Sequence, residues 1–238
     1  MNELEYTSLT PAPTATRPLL GLTILVVEDS RFACDAMRLL CLRSGARIRR
    51  ADCLRSARRH LQVYRPSVAI IDLGLPDGSG AELIKELAIA EPRIHALLAI
   101  SGDDNNKEVA LAAGADGFMS KPLSSLASFQ SAILQALPED MRPSGLRAIT
   151  DEEVDPDPLA YRDDMAHASE MLSDDADLMR LDYAAQFLQG VAKSAKDEPL
   201  HQAAHLLAKA TANGATVHSH QARLAGLVRQ RLTEDVAI

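Results

Sequence analysis

The sequence predicts an open parallel α/β sheet followed by an all-α bundle, and three observations carry that prediction. Short apolar runs, Ile24-Leu25-Val26-Val27, Val68-Ala69-Ile70-Ile71 and Leu97-Leu98-Ala99-Ile100, recur with room for a helix between each pair. Runs this uniformly apolar read as strands buried on both faces, which is the habit of parallel sheets. Beyond Leu159 the runs stop, and apolar residues recur only at helical spacing. Aromatics make up 3% of the chain and Trp is absent, while 47% of residues are hydrophobic, so the core must be aliphatic.

Residues 1–19, with Pro11, Pro13 and Pro18 among threonines, have no sustained periodicity and read as a flexible tail. The first strand covers about Thr23 to Val27. Ser30 suits a helix N-cap, and Ala33, Met37, Leu40 and Cys41 keep helical spacing until Gly45. Arg47 to Ala51 alternates as an outer strand exposed on one side would. Leu54 to Val63 is a helix whose Arg55, Arg58 and Arg59 form a solvated flank. After the third strand, Gly74 to Gly80 is a loop by its Gly and Pro content, and Ala81 to Ile89 a helix. Ala96 to Ile100 is the fourth strand, Lys107 to Ala113 a helix, and Gly117 to Met119 a short fifth strand. Pro122 is placed to open a last helix reaching Leu137, because Pro is tolerated in a first turn. The region 20–137 thus holds five βα units.

Residues 138–157 are proline-rich and acidic and read as a linker. In 158–238, Tyr161 to Leu172, Leu178 to Ala195, Pro199 to Ala212 and Val217 to Leu232 are helical by apolar spacing, which suggests an antiparallel four-helix bundle. Its apolar faces can close on themselves or pair with a second copy.

Charge and composition narrow the function. Net charge is −8, and residues 145–238 hold 9 basic against 16 acidic side chains. An acidic module is poorly suited to the phosphate backbone of nucleic acid. No apolar stretch is long enough to span a bilayer, and the acidic N-terminus lacks a signal core, so a cytoplasmic protein is expected. Cys34, Cys41 and Cys53 show no metal-site spacing and are read as packing residues.

The candidate chemistry lies at the strand ends: Glu28-Asp29, Asp72, Ser101 and Lys121-Pro122. In a parallel sheet these converge on the carboxyl edge, where ligands bind. Clustered carboxylates favour a hard divalent cation. Mg²⁺, which takes one or two carboxylates, a carbonyl and waters, suits Asp29 and Asp72 with a loop carbonyl, Glu28 acting through water. A carboxylate beside Mg²⁺ can accept a phosphoryl group, with a lysine and a hydroxyl contacting its oxygens. Asp72, Lys121 and Ser101 supply those parts.

These motifs carry a resemblance. Ile24 to Ser30, Ile71 to Gly80, Ile100-Ser101-Gly102 and Gly114 to Pro122 make residues 20–137 similar to the receiver domain of two-component response regulators. The resemblance implies a flavodoxin-like (βα)5 fold, with Asp72 as phosphoacceptor and Glu28, Asp29, Asp72 and the Gly74 carbonyl at the Mg²⁺ site. It further implies Ser101 as switch hydroxyl, Lys121 as phosphate-contacting amine and Phe118 as the switching aromatic, where many relatives carry Tyr. The implied partners are a histidine kinase or histidine phosphotransfer protein upstream and a protein downstream. In the bundle, Ala204 to Ala215 is similar to the helix of a histidine phosphotransfer domain, which implies His205 as a phospho-site. Ala208 and Lys209 stand where that family carries Lys and Gly.

The leading expectation is a phosphoacceptor switch, not a turnover enzyme, that signals through a helical output without binding DNA. A relay or scaffold using a degenerate phosphotransfer bundle is the alternative, and a DNA-binding regulator, for which Arg223, Arg229 and Arg231 are candidates, comes third. Gly74 stands where an aspartate-nucleophile phosphatase would need a second acid.

Overall fold

The computed structural model describes residues 12–143, 148–150, 152–173, 175–214 and 216–234. Residues 1–11 of the expected tail, and 144–147 and 151 of the expected linker, lie outside the described residues. The order is β1 (Thr23–Val27), α1 (Arg31–Ser44), β2 (Arg47–Ala51), α2 (Leu54–Val63), β3 (Val68–Asp72), β4 (Gly74–Leu75), β5 (Gly78–Ser79), α3 (Gly80–Ala88), β6 (Ala96–Ser101), α4 (Asn106–Ala112), β7 (Gly117–Ser120) and α5 (Leu126–Ala136). Five strands pair in parallel in the order β2-β1-β3-β6-β7. This is the flavodoxin-like fold, and strand order reverses between β1 and β3, the switch point where such sheets bind ligands.

The strands alternate between two cores. Ile24, Val26, Val68, Ile70, Leu98 and Ile100 face α1 and α5, and Leu25, Val27, Ala69, Ile71, Leu97 and Ala99 face α2, α3 and α4. Each large aliphatic side chain so enclosed contributes about 1.5–3 kcal/mol relative to exposure. Cys34 and Cys41 lie in the first core, where burial pushes both thiols up to about 12, and they act as packing residues.

Three local features differ from the sequence reading. Pro122 does not open α5. Ser125 caps that helix by accepting from Ser128 N, because Ser125 is held extended against the following segment through Val154 N to Ser124 O and Leu126 N to Glu152 O. The 74–80 loop contains the small antiparallel hairpin β4–β5. Leu19, in the stretch read as tail, is fully buried in the first core, and Val154, in the stretch read as linker, joins it.

Four helices follow: α6 (Pro158–Met171), α7 (Leu178–Ser194), α8 (Glu198–Ala212) and α9 (His218–Thr233). They form a ring in which each helix packs on its sequence neighbour and α9 closes on α6, around Met165, Leu188, Leu207, Leu224 and Val228. Asp157, Asp177 and Asp197 cap α6, α7 and α8 by accepting from backbone N–H groups. Among the described residues no helix is long and apolar enough to cross a membrane.

Candidate functional site

Register explains why the polar residues meet. Val27 pairs with Ile71 and Asp72 with Ile100, so Glu28 and Asp29 leave β1 level with the end of β3. Ser101 pairs with Ser120, which places Lys121 one residue beyond the same edge. The edge is tight. A Cβ at Gly80 would stand 1.9 Å from the Asp72 carbonyl oxygen, so only glycine lets α3 begin there.

Lys121 Nζ lies 2.7 Å from Glu28 Oε2 and 2.8 Å from Asp72 Oδ2, and all three residues are buried. Glu28 Oε1 accepts from Ser30 N at 3.1 Å, and Asp72 Oδ1 takes a long 3.4 Å bond from Gly74 N. Burial raises Glu28 well above the usual carboxylate range, reinforced by Asp72 and opposed by Lys121. Asp29 is pushed up to about 7 by burial and by Asp72. Burial alone would lower Lys121, but Asp72 and Glu28 outweigh it and hold the ammonium above its ordinary value. The amine is therefore a fixed cation.

Glu28, Asp29 and Asp72 offer oxygens within 4.8 Å of one another. One lysine cannot neutralise three carboxylates, and an all-oxygen donor set of this size fits a hard divalent cation. Ser101 Oγ accepts from Asp103 N and Asn106 Nδ2, both at 3.1 Å, which leaves its hydrogen to donate. Gly74, Ser101 and Lys121 line one cleft of ≈ 880 Å³ with the three acids. Phe118 stands on β7 opposite Ala99, half-buried against the second core.

The sequence reading missed the other wall of this cleft, which is α7. Tyr183 donates its hydroxyl to Asp29 Oδ2, Lys193 Nζ donates to Gly102 O at 2.5 Å, and Gln186 stands by Gly74. Burial and Asp29 together hold the Tyr183 hydroxyl protonated far above its ordinary range. Gly190 lies so close that a Cβ there would be 3.5 Å from Lys121 Nζ. On α6, buried Asp164 accepts from Ser30 Oγ at 2.7 Å, Arg31 N at 2.8 Å and Phe32 N at 3.1 Å, capping α1 from outside the α/β sheet region. Tyr183, Gln186, Gly190 and Lys193 do recur at 3-4-3 spacing, a visible polar stripe, but nothing in the chain says what the stripe faces. His205 is outside the cleft: it is exposed on α8, with Nδ1 3.4 Å from Gln189 Oε1.

Comparison with known proteins follows this division. The response regulator receiver domain family matches residues 24–133. The KDP operon transcriptional regulatory protein KdpE of Escherichia coli is 36% identical over 101 residues, covering 42% of this chain and 44% of KdpE. The virulence transcriptional regulatory protein PhoP of Salmonella typhimurium is 31% identical over 100 residues, 42% of this chain and 45% of PhoP. The match thus spans less than half of either relative. Among solved structures, the chemotaxis response regulator CheY4 of Vibrio cholerae is 22% identical with a TM-score of 0.45, covering 49% of this chain and 98% of that one. The receiver domain of the sensor histidine kinase PA1611 from Pseudomonas aeruginosa, described with a magnesium ion coordinated in its active-site cleft, is likewise 22% identical with a TM-score of 0.44, covering 48% and 96%. The family match ends at residue 133, before the first helix of the bundle.

Proposed function

We propose that this chain, whose residues 24–133 are a response regulator receiver domain, is a cytoplasmic phosphoacceptor switch. It takes a phosphoryl group on Asp72 from a histidine kinase or a histidine phosphotransfer protein. The observation that carries the reading is the buried Lys121 ammonium held between Glu28 and Asp72 at the mouth of an acidic cleft. Asp72 supplies the accepting oxygen. Lys121 is already within bonding distance of it, positioned for the equatorial oxygens of the arriving group. Ser101, accepting from Asp103 and Asn106, has a hydrogen to offer a third oxygen; reorienting toward it loosens the start of α4. Phe118, half-buried on β7, follows that movement. Asp29 and Asp72, with the Gly74 carbonyl, would hold Mg²⁺, and Glu28 would act through water. Bound there, Mg²⁺ supplies charge neutralisation for the transferring group.

The output is read as protein contact through the bundle. KdpE and PhoP are named as transcriptional regulators, but their similarity covers 42% of this chain and less than half of either relative. In the bundle Arg231 is tied to Asp197 at 2.7 and 3.1 Å, so the last helix lacks one of its candidate basic contacts. A relay through His205 receives less support, since α7 and not α8 walls the cleft. Incubation with acetyl phosphate and Mg²⁺ should label the purified chain on Asp72. Equal labelling of Asp72→Ala would remove the reading.

A further inference from the structure

The bundle is anchored at two separate points around the cleft. Asp164 takes three hydrogen bonds from the start of α1, and Lys193 reaches the Gly102 carbonyl on the opposite rim. Between these anchors the polar stripe of α7 runs along the strand ends. The helix can come this close because Gly190 has no side chain: its Cα lies 3.5 Å from where a Cβ on Gly102 would stand. About two turns away, the Tyr183 hydroxyl occupies an oxygen of Asp29, one of the three clustered carboxylates.

A protein phosphodonor must bring a phosphorylated side chain, carried on its own backbone, to the Asp72 carboxylate. The approach over Gly74, Ser101 and Gly102 is the one α7 lies along. Small phosphodonors need only the cleft. We propose that α7 is a receiver-docking face which fills, within the same chain, the surface a protein phosphodonor requires, with Tyr183 competing with the metal for Asp29. The partner this face fits is a receiver phosphoacceptor edge, here its own. Phosphotransfer from a protein then requires the bundle to lift, and lifting frees the α7 face together with the site. This rests on the receiver reading of the cleft.

The test uses the full chain and two variants outside the accepting machinery of Asp72 and Lys121. Tyr183→Phe removes the competing hydroxyl, and the double variant Asp164→Ala, Lys193→Ala removes both anchors. Circular dichroism checks that each keeps its helix content. Calorimetric titration with Mg²⁺ should show binding at least about threefold tighter in each variant than in wild type, within the range that one ordinary net hydrogen bond contributes. Hydrogen exchange at residues 183–194 should become faster in the double variant. Mg²⁺ affinities within about twofold of wild type in both folded variants, with unchanged exchange along α7, would overturn the inference. Acetyl phosphate labelling separates it from its premise. Loss of Asp72 labelling in all three proteins removes the receiver reading, whereas normal labelling with no change in Mg²⁺ affinity or exchange removes only the docking role.

Discussion

At the receiver edge, Glu28, Asp29 and Asp72 crowd three carboxylates around a single lysine, and burial drives Glu28 and Asp29 away from their ordinary ionisation. In the bundle three enclosed polar groups each have specific hydrogen-bond partners. Asp164 caps α1, Asp197 caps α8 while holding Arg231 and Tyr161, and Gln221 donates to the Ser173 carbonyl at 2.9 Å. The difference separates two uses of buried polarity. Satisfied groups hold architecture together, whereas a surplus of like charge lowers stability and persists where a ligand is to be bound.

Substitutions can break this contrast, and the largest effect should come at the edge itself. Gly80→Val puts side-chain atoms into the Asp72 carbonyl, a backbone clash that cannot relax by rotamer. Urea unfolding should show a loss of about 5 kcal/mol or more, in the range reserved for severe core lesions. Lys121→Met removes the cation and leaves the acids uncompensated. Stability should fall by about 3 kcal/mol, and added Mg²⁺ should restore part of it in the same unfolding experiment.

The bundle should respond more mildly. Arg231→Ala deletes a two-point bond to Asp197 and should cost about 1–3 kcal/mol at neutral pH. Burial alone would raise Asp197, but Arg231 and Tyr161 outweigh it and hold its carboxyl below the ordinary 3.8. A depressed folded pKa means the contribution is fully present above the unfolded value and is lost as pH falls through the folded one. The gap between wild type and Arg231→Ala should therefore hold at pH values above about 4 and close below that; a gap that persists at lower pH would show that the pair is not its source. The smallest effect has the opposite sign. Gly226 lies within α9 with nothing within 4 Å of a built Cβ, so Gly226→Ala should stabilise by about 0.5–1 kcal/mol, read as a small rise in Tm.

Much of the fold was legible because its signals are local. Apolar runs of strand length, Ser30 before a helix and glycines at breaks depend only on residues near in sequence, and the four C-terminal helices fall within a few residues of the spacing that predicts them. Where the local rule failed, a distant segment intervened. Pro122 meets the helix-start rule, yet 152–154 hold the chain extended and the cap passes to Ser125. Lys209 and His205 lie on α8, whereas the cleft faces α7.

The sequence by itself determined that Glu28, Asp29, Asp72, Ser101 and Lys121 would end their strands, since a parallel sheet sends all its carboxyl ends to one edge. Tertiary structure alone decided what stands opposite them. Whether Tyr183, Gln186, Gly190 and Lys193 face water, a partner or the receiver depends on how the bundle packs on the sheet region. That packing rests on contacts between residues more than 90 positions apart, such as Ser30 with Asp164 or Gly102 with Lys193. Helical periodicity marks which side of α7 is polar, but it carries no record of the surface that side meets.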